Sequence, residues 1–322
     1  MEILIIGAAG MLGSKLSKAL ATGQLPGRSV TSLLLADVVE PVLHSQGIKV
    51  ETRQADLTQP GVAADLVRSE PPVIYHLAAV VSGEAEADFE KGYAINFDGT
   101  RALFDAIRAK NEATGYRPRL VFTSSLAVFG GPYPEAVPDT FQAAPQNSYG
   151  VQKAMGELML ADYSRRGFMD GIGLRLPTIS IRPGKPNAAA SGFLSGILRE
   201  PLAGHEAILP VPPTLRAWIA SPRAAVQNLL HAGAIRTADL GAWRTVNLPG
   251  LSVTVADMIE ALRRSAGSSA VDLIRSKPDA TIERIVGSWP ARFEAQRALE
   301  LGFSADPDID AIIAAHLEDE VA

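Results

Sequence analysis

The chain has 322 residues, of which 47% are apolar and 20% charged; that is ample material for the core of one large α/β domain, or of a nucleotide-binding domain carrying a smaller one. Its 35 acidic and 30 basic residues leave a net charge of -5, which repels a polyphosphate backbone and sets nucleic acid aside as a partner. With no cysteine there is no disulfide framework, no thiolate nucleophile and no Cys-based zinc site, a pattern that suits a soluble protein of the reducing cytoplasm.

Residues 1–7 read directly as a first strand, expected over residues 2–6, so no targeting signal is expected. Further β-branched runs at 30–36, 49–54, 73–77 and 120–123 predict strands, and helical spacing appears at 12–21, 61–68, 95–109 and 149–165. This alternation predicts an α/β fold: a Rossmann-like, doubly wound parallel sheet with helices on both faces. Another strand is expected at 174–179, after which Pro and Gly punctuate 182–187 and 210–213 as loops. Helical patterns return at 222–235, 255–266, 291–299 and 308–317. The expected organisation is a nucleotide-binding domain over 1–178 and a small, mostly helical C-terminal substrate lobe over 179–322, with part of 222–250 returning to the first core. No apolar run approaches the ~20 residues of a membrane-spanning helix, so no membrane partner is expected. The five histidines lack metal-ligand spacing, so no metal is expected either.

The first chemical signal is Gly7-Ala8-Ala9-Gly10-Met11-Leu12-Gly13, placed where the first strand turns into the first helix. Such a loop lets a pyrophosphate approach the backbone, where the helix N-terminal amides face its charge. Gly7, Gly10, Met11, Leu12 and Gly13 are therefore candidate cofactor contacts. Three glycines at this spacing also make an ordinary tight turn; the position of Asp37 raises the dinucleotide reading. It ends the second strand, where the adenosine ribose should lie, and a carboxylate there accepts from ribose hydroxyls and repels a 2′-phosphate, favouring NAD over NADP.

The second signal is Tyr149-Gly150-Val151-Gln152-Lys153, which puts a phenol and an ammonium on one helix face, one turn apart. A fixed cation favours the phenolate, so Tyr149 is a candidate base at neutral pH. Thr123-Ser124-Ser125 ends a predicted strand with hydroxyls, and strand C-terminal ends are where ligands of doubly wound sheets bind.

These residues together resemble the extended short-chain dehydrogenase/reductase family, which includes nucleotide-sugar epimerases and dehydratases. Asp56-Leu57, His76-Leu77-Ala78-Ala79 and Asn96-Phe97-Asp98-Gly99-Thr100 match it as well. The resemblance implies that Asp56 and Leu57 border the adenine, that Leu77, Ala78 and Ala79 line the cofactor cleft, and that Asn96 supports the active-site helix. It further implies Ser125 as the catalytic serine, Ser124 as a neighbouring substrate contact, Tyr149 as proton acceptor and Lys153 as a ligand of the nicotinamide ribose. Phe129 stands where a tyrosine is usual, leaving Tyr149 as the credible phenol. In the run Arg175-Leu176-Pro177-Thr178-Ile179-Ser180-Ile181-Arg182, Pro177 is expected beside the nicotinamide and Thr178 and Arg182 at the substrate, with Lys185 adding positive charge. A guanidinium suits a planar carboxylate; a solvated loop cation is the equal alternative.

The segments 174–210, 216–223, 285–290 and 301–303 look like a branch of the family that oxidises four-carbon sugar acids at C2 with NAD. A UDP-sugar epimerase that retains NAD, with Arg216 on the diphosphate, is the alternative. A non-catalytic NAD sensor is the third reading, disfavoured by the intact Ser125, Tyr149 and Lys153. Relatives of this kind often pair as homodimers through two helices, here 95–109 and 149–165, so a dimer is expected.

Overall fold

The computed structural model describes residues 1–43, 45, 47–184 and 190–321; Lys185 lies outside them. The chain divides into two compact units. The first, Met1–Val128, Asn147–Arg175 and Val226–Val246, is built on strands β1 (Glu2–Ile6), β2 (Ser32–Asp37), β3 (Lys49–Gln54), β4 (Val73–His76), β5 (Arg119–Ser125), β6 (Asp170–Leu176) and β7 (Thr245–Asn247). They form one parallel, Rossmann-like sheet in the order β7-β6-β5-β4-β1-β2-β3. The chain starts at β1, runs outward to β3, and crosses back to β4 on the other side of β1. That reversal opens a crevice at the C-terminal ends of β1 and β4.

β1 and β4 carry apolar side chains on both faces, as strands covered on two sides must. Ile3, Leu4, Ile5, Val73, Ile74 and Tyr75 are all fully buried. On one face Leu4, Ile74, Phe104 and Phe122 join a cluster that includes Leu66, Ile107 and Leu160. Helix α1 (Met11–Leu20) follows the glycine loop, α2 (Gly99–Thr114) follows β4, and α3 (Ser148–Arg165) follows β5. Asn147 caps α3 by accepting from the Gly150 amide at 2.8 Å, one of the first-turn donors a helix cannot satisfy internally. Gly156 lets α3 close on β5, because a Cβ there would stand 2.7 Å from Phe122 Cζ.

The second unit, Phe129–Gln146, Leu176–Ala225 and Asn247–Ala322, has its own core around Ile197, Leu198, Ile219, Met258, Leu262 and Ile312. It is mostly helical, with a small sheet in which Arg216–Ala220 lies between Leu251–Thr254 and Thr178–Ile179. The helix Val255–Ala266 begins with a reciprocal cap: Thr254 Oγ1 accepts from the Asp257 amide and Asp257 accepts from the Thr254 amide. Phe129, 4% exposed, packs here on Phe141 and Phe293.

Several elements differ from their expected form. The strand expected at 174–179 is divided: β6 ends at Leu176, and Thr178–Ile179, after Pro177, pairs with Arg216–Ala220 instead. The helix expected at 95–109 begins as a π-helical segment, Tyr93–Asp98. The helix expected at 291–299 shrinks to Gln296–Glu300, because Phe293 bridges to Val137 and Ala295 sits at φ +47°. Gly192–Leu202, in what reads as loop-rich sequence, is a helix that buries Leu194, Ile197 and Leu198.

Arg119 ties the far end of the sheet. It donates from Nη2 to Asp170 Oδ2 at 2.9 Å and from Nη1 to Ala232 O at 2.8 Å, and is itself buried. Removing the guanidinium takes a donor from the buried Ala232 carbonyl and leaves Asp170 with Arg244, so Arg119→Ala should cost about 2 kcal/mol, read as a lower urea midpoint at unchanged slope.

Candidate active site

The glycine loop is held by backbone contacts. Gly7 and Ala8 donate to Ala36 O at 2.8 and 3.1 Å, while Leu77 and Ala78 donate to Ile6 O at 2.8 and 3.1 Å. This packs the loop between the ends of β2 and β4 so tightly that only glycine fits. A Cβ on Gly7, at φ +91°, would meet Ala78 N at 2.5 Å, and one on Gly13 would meet Gly7 O at 2.1 Å. Gly10 is the N-cap of α1 and offers no side chain to its first-turn amides. Met11, Leu12 and Gly13 form that turn, which leaves it suited to an anion.

Asp37 fixes the rim of this loop: its Oδ2 accepts from the Ala9 amide at 2.9 Å. Asp56 accepts from Thr58 N and Oγ1 at 2.9 and 2.8 Å; these bonds hold its carboxyl below the ordinary value against the opposing effect of burial. Leu57 is buried in the sheet's apolar cluster. A cradle that no Cβ could share, an uncapped helix start and a carboxylate at the end of β2 fit a dinucleotide with an unphosphorylated ribose.

The catalytic candidates converge from β4, β5, α3 and the π-helical segment. Lys153 is 2% exposed, and its ammonium donates to Thr123 O at 2.9 Å. Nζ lies 4.9 Å from the Phe122 ring centre and 5.7 Å from that of Tyr149. Burial pushes Lys153 down to about 8, with Glu157 opposing the shift. Ser125, at the end of β5, accepts from the Ala127 amide at 3.1 Å, which leaves its proton to donate. Ser124 is buried, and its hydroxyl donates to Glu157 Oε1.

Asn96 is 1% exposed and is gripped on both polar atoms. Its Oδ1 accepts from the Val80 amide at 2.9 Å, and its Nδ2 donates to Val80 O at 3.1 Å and to Gln152 Oε1 at 2.7 Å. The loop after β4 is thereby clamped to α3. These bonds also fix the Gln152 amide, whose Nε2 is buried without a partner. His76 lies deeper. Thr100 Oγ1 donates to Asn96 O at 2.8 Å and so accepts from His76 Nε2 at 2.9 Å, leaving Nδ1 as a buried, unpartnered lone pair.

No role is read from the sequence for Gln152, His76, Thr100 or Glu157, although His76 and Thr100 stand in the matched runs 76–79 and 96–100; the i+4 spacing of Lys153 and Glu157 is the signal that points to Glu157. Pro177, Thr178 and Arg182 belong to the second unit. There the Arg182 guanidinium donates to Ile179 O at 2.9 Å and to Ser191 Oγ at 3.0 Å. Arg216 lines an open pocket of that unit with Arg284, Ser288 and Trp289, and donates to Ser252 O at 2.9 Å. Among the described residues no cluster of His, Cys, Asp or Glu could hold a metal ion, and no helix is long and apolar enough to cross a membrane.

Residues 3–219 match the model of the NAD dependent epimerase/dehydratase family, and the chain belongs to that family. Within it, the chain is 51% identical to the D-erythronate dehydrogenase of Cupriavidus necator, over 99% of this chain and 98% of that protein. It is 42% identical to the D-erythronate dehydrogenase of Haemophilus influenzae, over 99% of each. It also matches the crystal structure of the nucleoside-diphosphate-sugar epimerase from Agrobacterium tumefaciens with a TM-score of 0.97 and 57% identity, covering 100% of this chain and 94% of that one. The chain is an NAD-dependent oxidoreductase, and NAD is its cofactor.

Two measurements follow from this geometry. Burial, helped by the Lys153 ammonium, pushes the His76 imidazole down from 6.5 to about 3. The unfolded chain takes up that proton near pH 6.5 and the folded one only near 3, so stability falls as pH drops through this window, by about 1.4 kcal/mol per unit from this group. His76→Gln should flatten that part of the slope in urea unfolding. Asp37→Asn keeps an acceptor for Ala9 but removes the charge; in cofactor titrations it should shift the NAD/NADP affinity ratio toward NADP by about tenfold.

Proposed function

We propose that the chain oxidises D-erythronate at C2 to 2-dehydro-D-erythronate. The observation that carries this reading is the 51% identity, over 99% of the chain, with the Cupriavidus necator enzyme, seconded by the Haemophilus influenzae enzyme. At the coarser level, the activity is NAD-linked oxidation of a small polyol or sugar acid.

The glycine loop, with Gly7, Gly10, Met11, Leu12 and Gly13, would hold the pyrophosphate, Asp37 the adenosine ribose, and Asp56 and Leu57 the adenine edge. Leu77, Ala78 and Ala79 would line the cleft beside it. When bound, NAD supplies the hydride acceptor. The protein must then remove one proton and hold one oxygen. Ser125 donates its free proton to the substrate oxygen and so orients the carbinol. Tyr149, as phenolate, takes the hydroxyl proton while the C2 hydrogen leaves with its electron pair. The Lys153 ammonium, buried and anchored on Thr123 O, stabilises the phenolate through its positive charge and has donors left for the nicotinamide ribose. Asn96 holds the loop after β4 against α3, which keeps the base aligned with the cleft.

The 57% identity with the Agrobacterium nucleoside-diphosphate-sugar epimerase supports a second reading, in which the same groups oxidise and then re-reduce a UDP-sugar. The two readings differ in net chemistry. Enzyme, NAD and D-erythronate should accumulate NADH; silence across four- to six-carbon sugar acids, with inversion of a UDP-sugar and no net NADH, would overturn the dehydrogenase reading. Tyr149→Phe should lower kcat by about 10³-fold while NAD still binds.

A further inference from the structure

One turn beyond Lys153 on α3, Glu157 is 6% exposed and faces an equally buried Arg175 on β6. The pair is bidentate: Arg175 Nε donates to Glu157 Oε1 at 2.9 Å and Nη2 to Oε2 at 2.7 Å. Oε1 also accepts from Ser124 Oγ. One carboxylate thus ties α3 to both β5 and β6. The tie falls between two residues that matter, since Ser124 is flanked by Thr123, whose carbonyl holds Lys153, and by Ser125. Consecutive residues of β5 are therefore pinned to α3 residues one helical turn apart, Thr123 to Lys153 and Ser124 to Glu157.

We propose that Glu157, oriented by Arg175 and Ser124, is a positioning residue for the oxidation: it sets the register of β5 against α3 and supplies the counter-charge that keeps the Lys153 ammonium seated beside Tyr149. This rests on the roles given to Tyr149 and Lys153 above. A buried ion pair is weak evidence for stability as such, because desolvation offsets the attraction. Here its position beside the site gives it a second use. Among the described residues, the groups that act on Lys153 include Tyr149 and Glu157 on its own helix, the Thr123 carbonyl and Phe122 ring on β5, and neutral His76 on β4, with the Arg175 guanidinium of β6 bonded to the Glu157 carboxylate. Glu157, bonded to Ser124 next to the Thr123 that holds Lys153, favours the ammonium, against burial that favours the neutral amine.

The test reads Lys153 directly. The ε-carbon of Lys153, labelled with ¹³C and assigned with Lys153→Arg, is titrated by NMR in the full chain without substrate. Glu157→Gln should lower its midpoint by about one pH unit, a tenfold change in acid constant, and the alkaline limb of kcat should move down with it. Ser124→Ala should lower kcat about tenfold with NAD affinity close to wild type and the thermal midpoint lower by a few degrees. Glu157→Gln/Arg175→Met removes both charges at similar volume and serves if the single variant does not fold; it too should lower the midpoint. Folded variants with an unmoved Lys153 titration and wild-type kcat would overturn the proposal. If wild type turns over no sugar acid while Glu157→Gln still moves the titration, the placement of Lys153 stands and the substrate assignment falls.

Discussion

A charged amine held inside the sheet-helix layer is the constraint on which the rest of the first unit depends. Lys153 is 2% exposed, and an ammonium out of water is stable only with a carbonyl, an aromatic face or an anion close by. The fold supplies all three. The Thr123 carbonyl is available because it lies at the C-terminal end of β5, the Phe122 ring lies below the ammonium, and Glu157 follows one turn later. Gly156 allows the approach, since any larger residue would push α3 off Phe122. The Asn147 cap and the Asn96 clamp then fix where α3 begins and how the loop after β4 meets it.

The other half of the site is local and built from backbone. Gly7 and Gly13 are required by atoms a few ångströms away, and Asp37 is committed to the Ala9 amide. The chain is acidic overall, with net charge -5, so its total field does not draw in a dinucleotide or a carboxylate. Attraction has to come from oriented amides at the α1 N-terminus and from individual cations. This is why one anion at Asp37 can weigh on cofactor choice.

Short-range features were the legible ones. The span 2–6 reads as a strand because Ile3 to Ile6 are apolar and β-branched or leucine, and 255–266 as a helix because its apolar residues recur at helical spacing. Both match the structure residue for residue. Spans that failed are those decided by distant partners. The segment 291–295 has helical spacing, yet Phe293 is recruited by Val137 and the ring of Trp218. Thr178–Ile179 follows β6 in sequence after Pro177, but Arg216–Ala220 claims it as a neighbour. In the site, the positions of Gly7, Gly13, Asp37, Tyr149 and Lys153 at strand ends or on one helix face could be read directly. The bonds of Glu157 to Arg175, 18 residues away, and of Asn96 to Gln152, 56 residues away, could not, since nothing in either local pattern names its partner.

In the proposed reaction these parts join in one act: a base aligned by a buried cation removes a proton while the carbon bearing the hydroxyl surrenders its hydrogen to NAD. The most direct measurement follows that hydrogen. D-Erythronate deuterated at C2 is incubated with the protein and NAD, and the products are read by NMR. Deuterium is expected on C4 of the reduced nicotinamide, with one 2-keto acid formed for each reduced cofactor. Deuterium that stays on the sugar carbon, with the cofactor still oxidised, would contradict the proposed reaction.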